Sequence, residues 1–342
     1  MQQAAWACGE QHPVPIRAIA RIIWALTLAA VASSAWSQCL TTVPAGFPEV
    51  DQAFQTEHPQ APTTTARQAR IALGQRLFHD SRLSANGTVS CATCHQPDHA
   101  FADPRDVSIG VLGTALPFNA PTLHNAALKY SLHWQANGPE RLARQHALVL
   151  TSSDPVEMGF SAQLLQPHNA DPQLLEWLAQ AQLPANNDDN AVQQRFDQRV
   201  VQSLLAAYVS TLVCATPFDR LVFAGDASAL NDQQRRGLAL FTSAPRNCHH
   251  CHQGPLLGGG LRTATVQWPA PVSVRMRNDK PVALNTPALR QVVHTAPYFF
   301  DGSVKTLTEV LQQYADGRFP DLPGFAMSPE QQQALLAFLG TL

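Results

Sequence analysis

The sequence predicts a mainly α-helical protein that contains two related domains. Its 342 residues, 45% of them hydrophobic, exceed the roughly 100 to 200 residues of one typical domain and can form two buried cores. The motif Cys-x-x-Cys-His occurs at 91–95 and again 157 residues later, at 248–252. Three segments rich in Pro and Gly, 96–125, 253–285 and 319–325, are predicted to be long loops, and no convincing strand pair is found.

The charge of the chain is almost balanced. It has 23 Lys and Arg against 25 Asp and Glu, and charged residues make up only 14% of the total. A nucleic-acid-binding protein usually shows a basic excess or basic runs, and this chain shows neither. We therefore expect no nucleic-acid partner.

Residues 1–37 are predicted to be a signal peptide. Two arginines precede an apolar run at 22–32, which has the length of a signal-peptide core and is shorter than the roughly 20 residues that span a bilayer. The segment 35–37 has small residues at both ends, which favours cleavage before Gln38. The alternative is an uncleaved N-terminal anchor. We expect an exported protein that does not span the membrane after cleavage.

The two Cys-x-x-Cys-His motifs have the spacing that covalent haem attachment requires. They consist of Cys91, Cys94 and His95, and of Cys248, Cys251 and His252. Two thiols three residues apart lie on one side of a helical turn, where each can add to a vinyl group of haem while the next His reaches the iron. At this chain's frequencies of Cys and His, one such motif is expected by chance about 0.005 times. The alternative is one zinc ion bound by the four thiolates, although zinc does not require a His after each pair.

A second repeated pattern supports two domains that each carry one c-type haem. Gly-x-x-Leu-Phe occurs at 74–78 and at 237–241, before each motif. On a helix, the Gly permits close approach of a neighbouring helix and the Leu-Phe pair can face the haem. The helices that carry this pattern are predicted at 64–79 and 229–242, and the two cytochrome c-like domains at 38–187 and 188–342.

Three further helices follow from local signals. A long apolar-periodic helix is predicted at 190–213 and is expected to link the domains. Thr306 and Glu309 form a capping-box pattern at the start of a helix at 306–314. Ser-Pro-Glu begins the last helix, 328–342, which could pack back on the first domain.

The motifs between 73 and 318 resemble those of the bacterial dihaem cytochrome c peroxidase and MauG superfamily. The matching segments are Leu73-Gly74-x-x-Leu77-Phe78, Leu83-Ser84-x-Asn86-Gly87-Thr88-x-Ser90-Cys91, Asn119-Ala120-Pro121-Thr122-Leu123, Pro155-Val156-Glu157-Met158-Gly159, Thr286-Pro287-Ala288-Leu289-Arg290 and Thr295-Ala296-Pro297-Tyr298. The spacing from Trp134 to Gln145 and from Gln145 to Glu157 is most similar to the MbnH-like or MauG-like branch. The resemblance implies a periplasmic dihaem enzyme that reacts with hydrogen peroxide.

For the first haem, the resemblance implies a peroxide-reacting centre with an open face. His95 would be the proximal iron ligand and Glu157 the acid-base residue, which takes a proton from one peroxide oxygen and returns it to the other. Gln145 would be the hydrogen-bonding partner on the open face. The alternative for Glu157 is an ordinary surface carboxylate. The loop 107–119 has no His that could block the resting haem, so we expect a site that is open without prior reduction.

For the second haem, the resemblance implies an electron-transfer centre with two axial ligands. His252 would be one ligand and Tyr314, 17 residues after Pro297, the other. An anionic oxygen stabilises oxidised iron better than the thioether of Met, so the identity of this ligand changes the chemistry. The alternatives are Tyr314 as an ordinary core aromatic and Met276, in a segment expected to be an irregular loop, as the ligand.

The same resemblance assigns two features between the domains. Trp134 would carry electron holes between the haems, although Trp is also a common core residue. A calcium ion would be bound by Asn119 and by the carbonyl groups of Thr295 and Pro297, because calcium prefers oxygen ligands from loops.

Three classes of function fit these residues. The first, favoured by Tyr314, is a MauG- or MbnH-like enzyme that stores oxidising equivalents on two haems and oxidises a Trp or Tyr of a partner protein. The second is a peroxidase that receives electrons from a small cytochrome c or a cupredoxin. The third is a non-catalytic dihaem electron carrier. Outside the motifs, Cys39 and Cys214 could pair in an oxidising compartment, which their spacing does not establish.

Overall fold

The structure is a computed structural model in which ten ranges of the chain are described. They are 39–40, 42–48, 63–135, 142–183, 196–244, 246–262, 267–268, 272–277, 280–319 and 322–342. The predicted signal peptide at 1–37 lies outside these ranges. Within them, no helix is both long enough and apolar enough to cross a membrane.

Helices dominate the described ranges, as the sequence predicts. The α-helices there are α1 (Thr64–Phe78), α2 (Cys91–Cys94), α3 (Leu142–Thr151), α4 (Gln166–Asn169), α5 (Pro172–Gln180), α6 (Gln198–Val209), α7 (Pro217–Ala224), α8 (Asp232–Thr242), α9 (Cys248–Cys251), α10 (Leu307–Ala315) and α11 (Pro329–Leu339). The strands are β1 (Leu261–Arg262), β2 (Gln267–Trp268), β3 (Val272–Arg277) and β4 (Lys280–Asn285).

The strands correct the expectation of a loop without strand pairs at 253–285. β1 pairs with β2, and β3 pairs with β4 in an antiparallel hairpin whose register joins Val272 to Asn285 and Arg277 to Lys280. Val-Ser-Val-Arg-Met-Arg, the sequence of β3, alternates apolar and polar residues, and two residues separate it from β4. Both features are typical of a β-hairpin, so the signal was present but confined to six residues.

The first hydrophobic core forms where α1 crosses α6. A Cβ added at Gly74 would lie 1.9 Å from the carbonyl oxygen of Leu204, so only Gly allows this approach. Phe78 packs edge-to-face on Tyr208, with 5.2 Å between ring centres. α3 and α5 complete the core around α6 and α1.

The second core repeats this arrangement with α8 and α11. A Cβ added at Gly237 would lie 2.0 Å from the carbonyl oxygen of Ala334. Phe241 of α8 packs on Phe338 of α11, with 5.3 Å between ring centres. The predicted role of the Gly in both copies of Gly-x-x-Leu-Phe is therefore confirmed. The last helix has its main contacts in the second core and not, as the sequence also allows, on the first domain.

The helix predicted at 190–213 lies within that range but is shorter than expected. α6 begins at Gln198, where the side chain of Asp197 accepts a hydrogen bond from the N–H of Val200 (2.8 Å), and it ends at Val209. Its predicted start falls partly outside the described residues. Its buried side chains belong to the first core, and its expected role as a link between the domains stays a prediction. The domain boundary at 187/188 stays a prediction.

Cys39 and Cys214 are joined by a disulfide. Their Cα atoms are 5.0 Å apart, and the N–H of Leu40 donates to the carbonyl of Ala215 (2.8 Å). The bond spans 175 residues. Closing so long a loop lowers the entropy of the unfolded chain by an amount worth about 5 kcal/mol in a simple chain model. The disulfide fastens the segment that precedes α7 to the start of the described chain.

Replacement of Gly74 tests the close contact between α1 and α6. Gly74→Ala forces a methyl group against a backbone carbonyl, and we expect it to lower the free energy of unfolding by about 1–3 kcal/mol. Gly340→Ala is the matched control, because its nearest neighbouring atom would be 3.4 Å away and its φ is −68°. Urea denaturation measures both, and equal stability of the two variants would contradict the packing argument.

Candidate functional site

The first Cys-x-x-Cys-His motif forms the short helix α2 and the turn after it. The N–H of Ser90 donates to the hydroxyl of Thr93 (2.9 Å), which fixes the start of α2. The N–H of His95 donates to the carbonyl of Cys91 (2.8 Å). The ring Nδ1 of His95 is 3.0 Å from the carbonyl oxygen of Phe101. A carbonyl only accepts hydrogen bonds, so Nδ1 carries the proton and Nε2 keeps its lone pair.

The second motif has the same geometry. The N–H of His252 donates to the carbonyl of Cys248 (3.0 Å), and the ring Nδ1 of His252 is 3.0 Å from the carbonyl oxygen of Leu257. A His that binds a metal through one ring nitrogen usually donates its other N–H to a carbonyl or carboxylate. Both His side chains therefore fit the ligation of a haem iron through Nε2.

The four motif thiols fit haem attachment better than a single zinc ion. None of them forms a disulfide. Among the described residues, no group of three or more His, Cys, Asp or Glu side chains is arranged to bind one metal ion. A zinc site made of both motifs would need all four sulfur atoms at about 2.3 Å from one point. The structure thus disfavours the zinc alternative and keeps the motifs as two separate sites.

Glu157 is held by backbone contacts from two neighbouring loops. The N–H of Val111 donates to the carbonyl of Glu157 (2.8 Å), and the N–H of Ala85 donates to the carbonyl of Met158 (2.9 Å). A Cβ added at Gly110 would lie 2.1 Å from the carbonyl oxygen of Val156. The loop 107–119 therefore lies directly against the chain that carries this carboxyl group.

The carboxyl group of Glu157 titrates near neutral pH. Burial raises its pKa from the ordinary 4.5 to about 7, because the surrounding protein solvates the charged form poorly. A group with a pKa near 7 is suited both to accept and to donate a proton. This property argues against the alternative of an ordinary surface carboxylate, while the catalytic role of Glu157 stays a prediction.

Gln145 and His146 are neighbours on α3, and each has a buried polar atom without a hydrogen-bond partner in the described structure. These atoms are the Oε1 of Gln145 and the Nδ1 of His146. Burial lowers the pKa of His146 to about 4, with a smaller contribution from nearby His95. Buried polar atoms seldom lack partners, so these atoms fit a place where a bound group completes the site.

Trp134 lies between segments from both halves of the chain. Its indole N–H donates to the carbonyl of Asn119 (2.8 Å), and its own carbonyl accepts a hydrogen bond from the N–H of Asn285 (2.6 Å). The side-chain amide of Asn285 also donates to the carbonyls of His133 and Gln135, both at 2.8 Å. These bonds fix the backbone on either side of the indole. Its role in hole transfer stays a prediction.

Tyr314 lies on the buried side of α10. It follows Leu307 and Leu311 at helical spacing, and both of these pack in the second core with Cys248. The ring of Tyr314 lies 4.3 Å from that of Phe319, between centres. Met276, considered as the competing ligand, is in the regular strand β3 and not in an irregular loop. The position of Tyr314 is compatible with ligation of the second haem iron, which stays a prediction.

The residues expected to bind calcium are partly brought together. The side-chain amide of Asn119 donates to the carbonyls of Asp103 (3.0 Å) and Arg105 (2.7 Å), and its backbone N–H donates to that of Phe300 (2.8 Å). Pro297 lines a cavity of about 440 Å³ near this segment. The calcium site, which includes Thr295, stays a prediction.

Comparison with known proteins agrees with this arrangement. The family model described as di-haem cytochrome c peroxidase matches residues 68–228. The methylamine utilization protein MauG of Methylorubrum extorquens is 30% identical, over 83% of this chain and 80% of that protein. This chain belongs to the dihaem cytochrome c peroxidase and MauG family.

A further relative and a solved structure extend the match. The cytochrome-c peroxidase IdrP2 of Denitromonas iodatirespirans is 32% identical, over 80% of this chain and 81% of that protein. A crystal structure described as a MauG-like protein associated with microbial copper homeostasis has a TM-score of 0.71 and 27% identity, covering 89% of this chain and 94% of its own. As a member of the dihaem peroxidase family, this chain is an oxidoreductase with two haem groups.

Sequence reasoning missed two residues that the structure brings next to predicted site residues, His146 near His95 and Asn285 beside Trp134. His146 could have been found from its place beside Gln145, although no pattern marks it as buried. Asn285 could have been found from the repeat Asn-x-Pro-x-Leu, which occurs at 119–123 and again at 285–289. The structure shows that Asn285 stabilises the Trp134 segment, a contact that joins residues about 150 positions apart.

Tyr314→Phe tests the second haem's ligand. Removal of the phenol oxygen should open the second haem of this dihaem protein and change its low-spin EPR and optical signals. Tyr298→Phe is the matched control. The Tyr298 hydroxyl donates to the carbonyl of Val292 (3.1 Å), so its removal should leave the ligands of the haem iron unchanged. A native low-spin spectrum in Tyr314→Phe would remove Tyr314 as the ligand.

Proposed function

We propose that this chain is a periplasmic MauG- or MbnH-like enzyme that reacts with hydrogen peroxide and oxidises a Trp or Tyr of a partner protein. Two covalently attached haems would hold the oxidising equivalents between these two reactions. One observation carries the proposal. Tyr314 lies on the face of α10 that packs in the second core, the core that also contains Cys248 of the second motif. An oxygen ligand there stabilises oxidised iron, as such a mechanism requires.

At the first motif, the chain's own residues would bind the haem and move the proton. Cys91 and Cys94 would hold the haem covalently, and His95 would bind its iron through Nε2. When bound, this haem supplies the electrons for cleavage of the O–O bond. The carboxylate of Glu157 accepts the proton from one peroxide oxygen and returns it to the other, which leaves as water. Gln145 would orient the peroxide by a hydrogen bond.

The second motif and the interdomain segment would serve electron transfer. Cys248, Cys251 and His252 would hold the second haem, and Trp134 would connect the two haems. Oxygen atoms of the Asn119 side chain and the 295–297 backbone would bind a calcium ion that stiffens this region.

A conventional peroxidase, supplied with electrons by a small cytochrome c or a cupredoxin, is the second candidate. It is favoured by the similarity to IdrP2, which is described as a cytochrome-c peroxidase. A pure electron carrier is disfavoured because it has no use for a half-buried carboxyl group with a pKa of about 7.

One measurement separates the three classes. EPR and optical spectra of the purified ferric protein are recorded before and after stoichiometric hydrogen peroxide, without reductant. We expect one high-spin and one low-spin haem, and loss of both EPR signals on addition of peroxide. A peroxide reaction that occurs only after partial reduction would favour the conventional peroxidase, and two low-spin haems that ignore peroxide would indicate a carrier.

Replacement of Glu157 tests the proton transfer. Glu157→Gln should leave both haems attached and slow the reaction with peroxide by about 10²-fold or more, because the amide cannot accept the proton. Glu176→Gln, at an exposed position of α5, is the matched control. Stopped-flow absorbance measures the rate, and equal rates in the two variants would exclude Glu157 from the reaction.

The same carboxyl group predicts a pH dependence. Only the ionised form of Glu157 can accept the proton, and its pKa is about 7. The rate of the peroxide reaction should therefore rise with pH from about 5, reach half of its maximum near pH 7, and level off above about pH 8. The Glu157→Gln variant should lose this rise. A wild-type rate that falls over the same range would contradict the assignment of Glu157 as the base.

A further inference from the structure

Lys129 is a buried cation near the first motif. Only 7% of the residue is exposed, and its Nζ donates to the carbonyl of Thr122 (2.8 Å). Burial lowers the pKa of Lys129 to about 8, so most of the side chain remains charged at neutral pH. A charge in so buried a place acts on its surroundings more strongly than one in water.

A short series of hydrogen bonds connects Lys129 to His95. The carbonyl of Thr122 and the N–H of Leu123 belong to one peptide group. That N–H donates to the carbonyl of Phe101 (3.2 Å), which also accepts the Nδ1 proton of His95 (3.0 Å). The ammonium group thus polarises the peptide that competes with His95 for one carbonyl oxygen.

The direction of this effect follows from the competition. A positive charge at the carbonyl of Thr122 makes the N–H of Leu123 a stronger donor, so the carbonyl of Phe101 accepts less strongly from His95. The imidazole then has less imidazolate character and donates less electron density to a bound iron. The electric field of the ammonium group has the same effect on the reduction potential, because a nearby positive charge disfavours the loss of an electron from the bound iron.

The second motif contains the same bonds without the lysine. The carbonyl of Leu257 accepts the Nδ1 proton of His252 and also the N–H of Leu289 (3.3 Å), which the carbonyl of Leu256 shares at 3.3 Å. In the repeat Asn-x-Pro-x-Leu, Leu123 corresponds to Leu289, and the position of Lys129 corresponds to Thr295.

A second cation near this motif is offset by an anion. The buried guanidinium of Arg290 lies close to the carbonyl of Pro255 but forms an ion pair with buried Asp219. The carbonyl of Thr122 in the first loop therefore accepts from a buried lysine, whereas the buried cation of the second loop is paired with a carboxylate.

Contacts with the second half hold Lys129 in place. The N–H of Tyr130 and the N–H of Ser131 both donate to the carbonyl of Gly259, at 3.1 and 3.3 Å. The Cγ of Lys129 would lie 3.6 Å from a Cβ added at Gly259. The aliphatic part of the Lys129 side chain therefore lies against the loop that follows His252. Its ammonium group contacts the peptide between Thr122 and Leu123.

We propose that Lys129 is a positioning residue that raises the reduction potential of the first haem, through the Thr122–Leu123 peptide and the carbonyl that orients His95. The inference rests on the proposed binding of the first iron by His95. It adds to that proposal a residue that makes the two haems different, although the loops that follow His95 and His252 share one backbone pattern.

The test uses four variants of the full holoprotein. Lys129→Met removes the charge and the hydrogen bond, Lys129→Gln removes the charge but keeps a donor, and Lys129→Arg keeps the charge. Lys305→Met, at a half-exposed lysine paired with Asp106, is the control for loss of a surface charge. The readouts are the reduction potential of the high-spin haem, by spectroelectrochemistry, and its ferrous iron–histidine stretching frequency, by resonance Raman spectroscopy.

We expect both uncharged variants at Lys129 to lower the potential and raise the stretching frequency. The Arg variant and Lys305→Met should stay close to the wild type. Wild-type potentials in Lys129→Gln and Lys129→Met would overturn the proposal, and Lys129→Gln alone suffices if the Met variant does not fold. Absence of the iron–histidine band from the wild-type protein would instead overturn the ligation by His95 on which the proposal rests.

Discussion

A backbone carbonyl that accepts the Nδ1 proton of a histidine is the contact on which both halves of the structure depend. The carbonyls belong to Phe101 and Leu257, which both have positive φ, 57° and 51°. A side chain other than Gly in this region typically costs 1–3 kcal/mol, which the surrounding structure must offset. The loops offset it by a second hydrogen bond to each carbonyl, from Leu123 and from Leu289. The orientation of each imidazole is thus set by the fold before any iron binds.

The same loop design occurs twice in the chain, as expected for two copies of one unit. After Asn-x-Pro-x-Leu, a residue in the left-handed region, Asn125 or Gln291, precedes a short 3₁₀ helix in each copy. Before each Cys-x-x-Cys-His motif, a Gly brings two helices together. The copies differ in their side chains, and the predicted functional groups differ with them, Glu157 for the first site and Tyr314 for the second. A shared scaffold with different side chains is how two similar sites acquire separate tasks.

Local patterns in the sequence predicted much of this, and long-range geometry accounts for what they missed. The caps at Thr306 and Ser328, the helical turn at each Cys-x-x-Cys and the role of Gly74 depend on residues within a few positions, and the structure bears them out. The disulfide of Cys39 joins residues 175 positions apart, which no spacing rule determines. The polar link of Lys129 to His95 passes through a peptide group, and a peptide group leaves no trace in composition. The hairpin β3–β4 was missed because six alternating residues are a weak signal.

The pKa of Glu157 shows how a reactive group conflicts with stability. In the unfolded chain this carboxyl titrates at its ordinary 4.5, and in the folded protein at about 7. A raised pKa in the folded state means that stability is lost as pH rises between these two values, because the folded state must then hold a charge that it solvates poorly. At neutral pH the carboxyl group of Glu157 therefore lowers the free energy of unfolding. The hydrogen bonds from Val111 and Ala85 to the carbonyls of Glu157 and Met158, and the close contact at Gly110, hold this half-buried segment in place despite the cost.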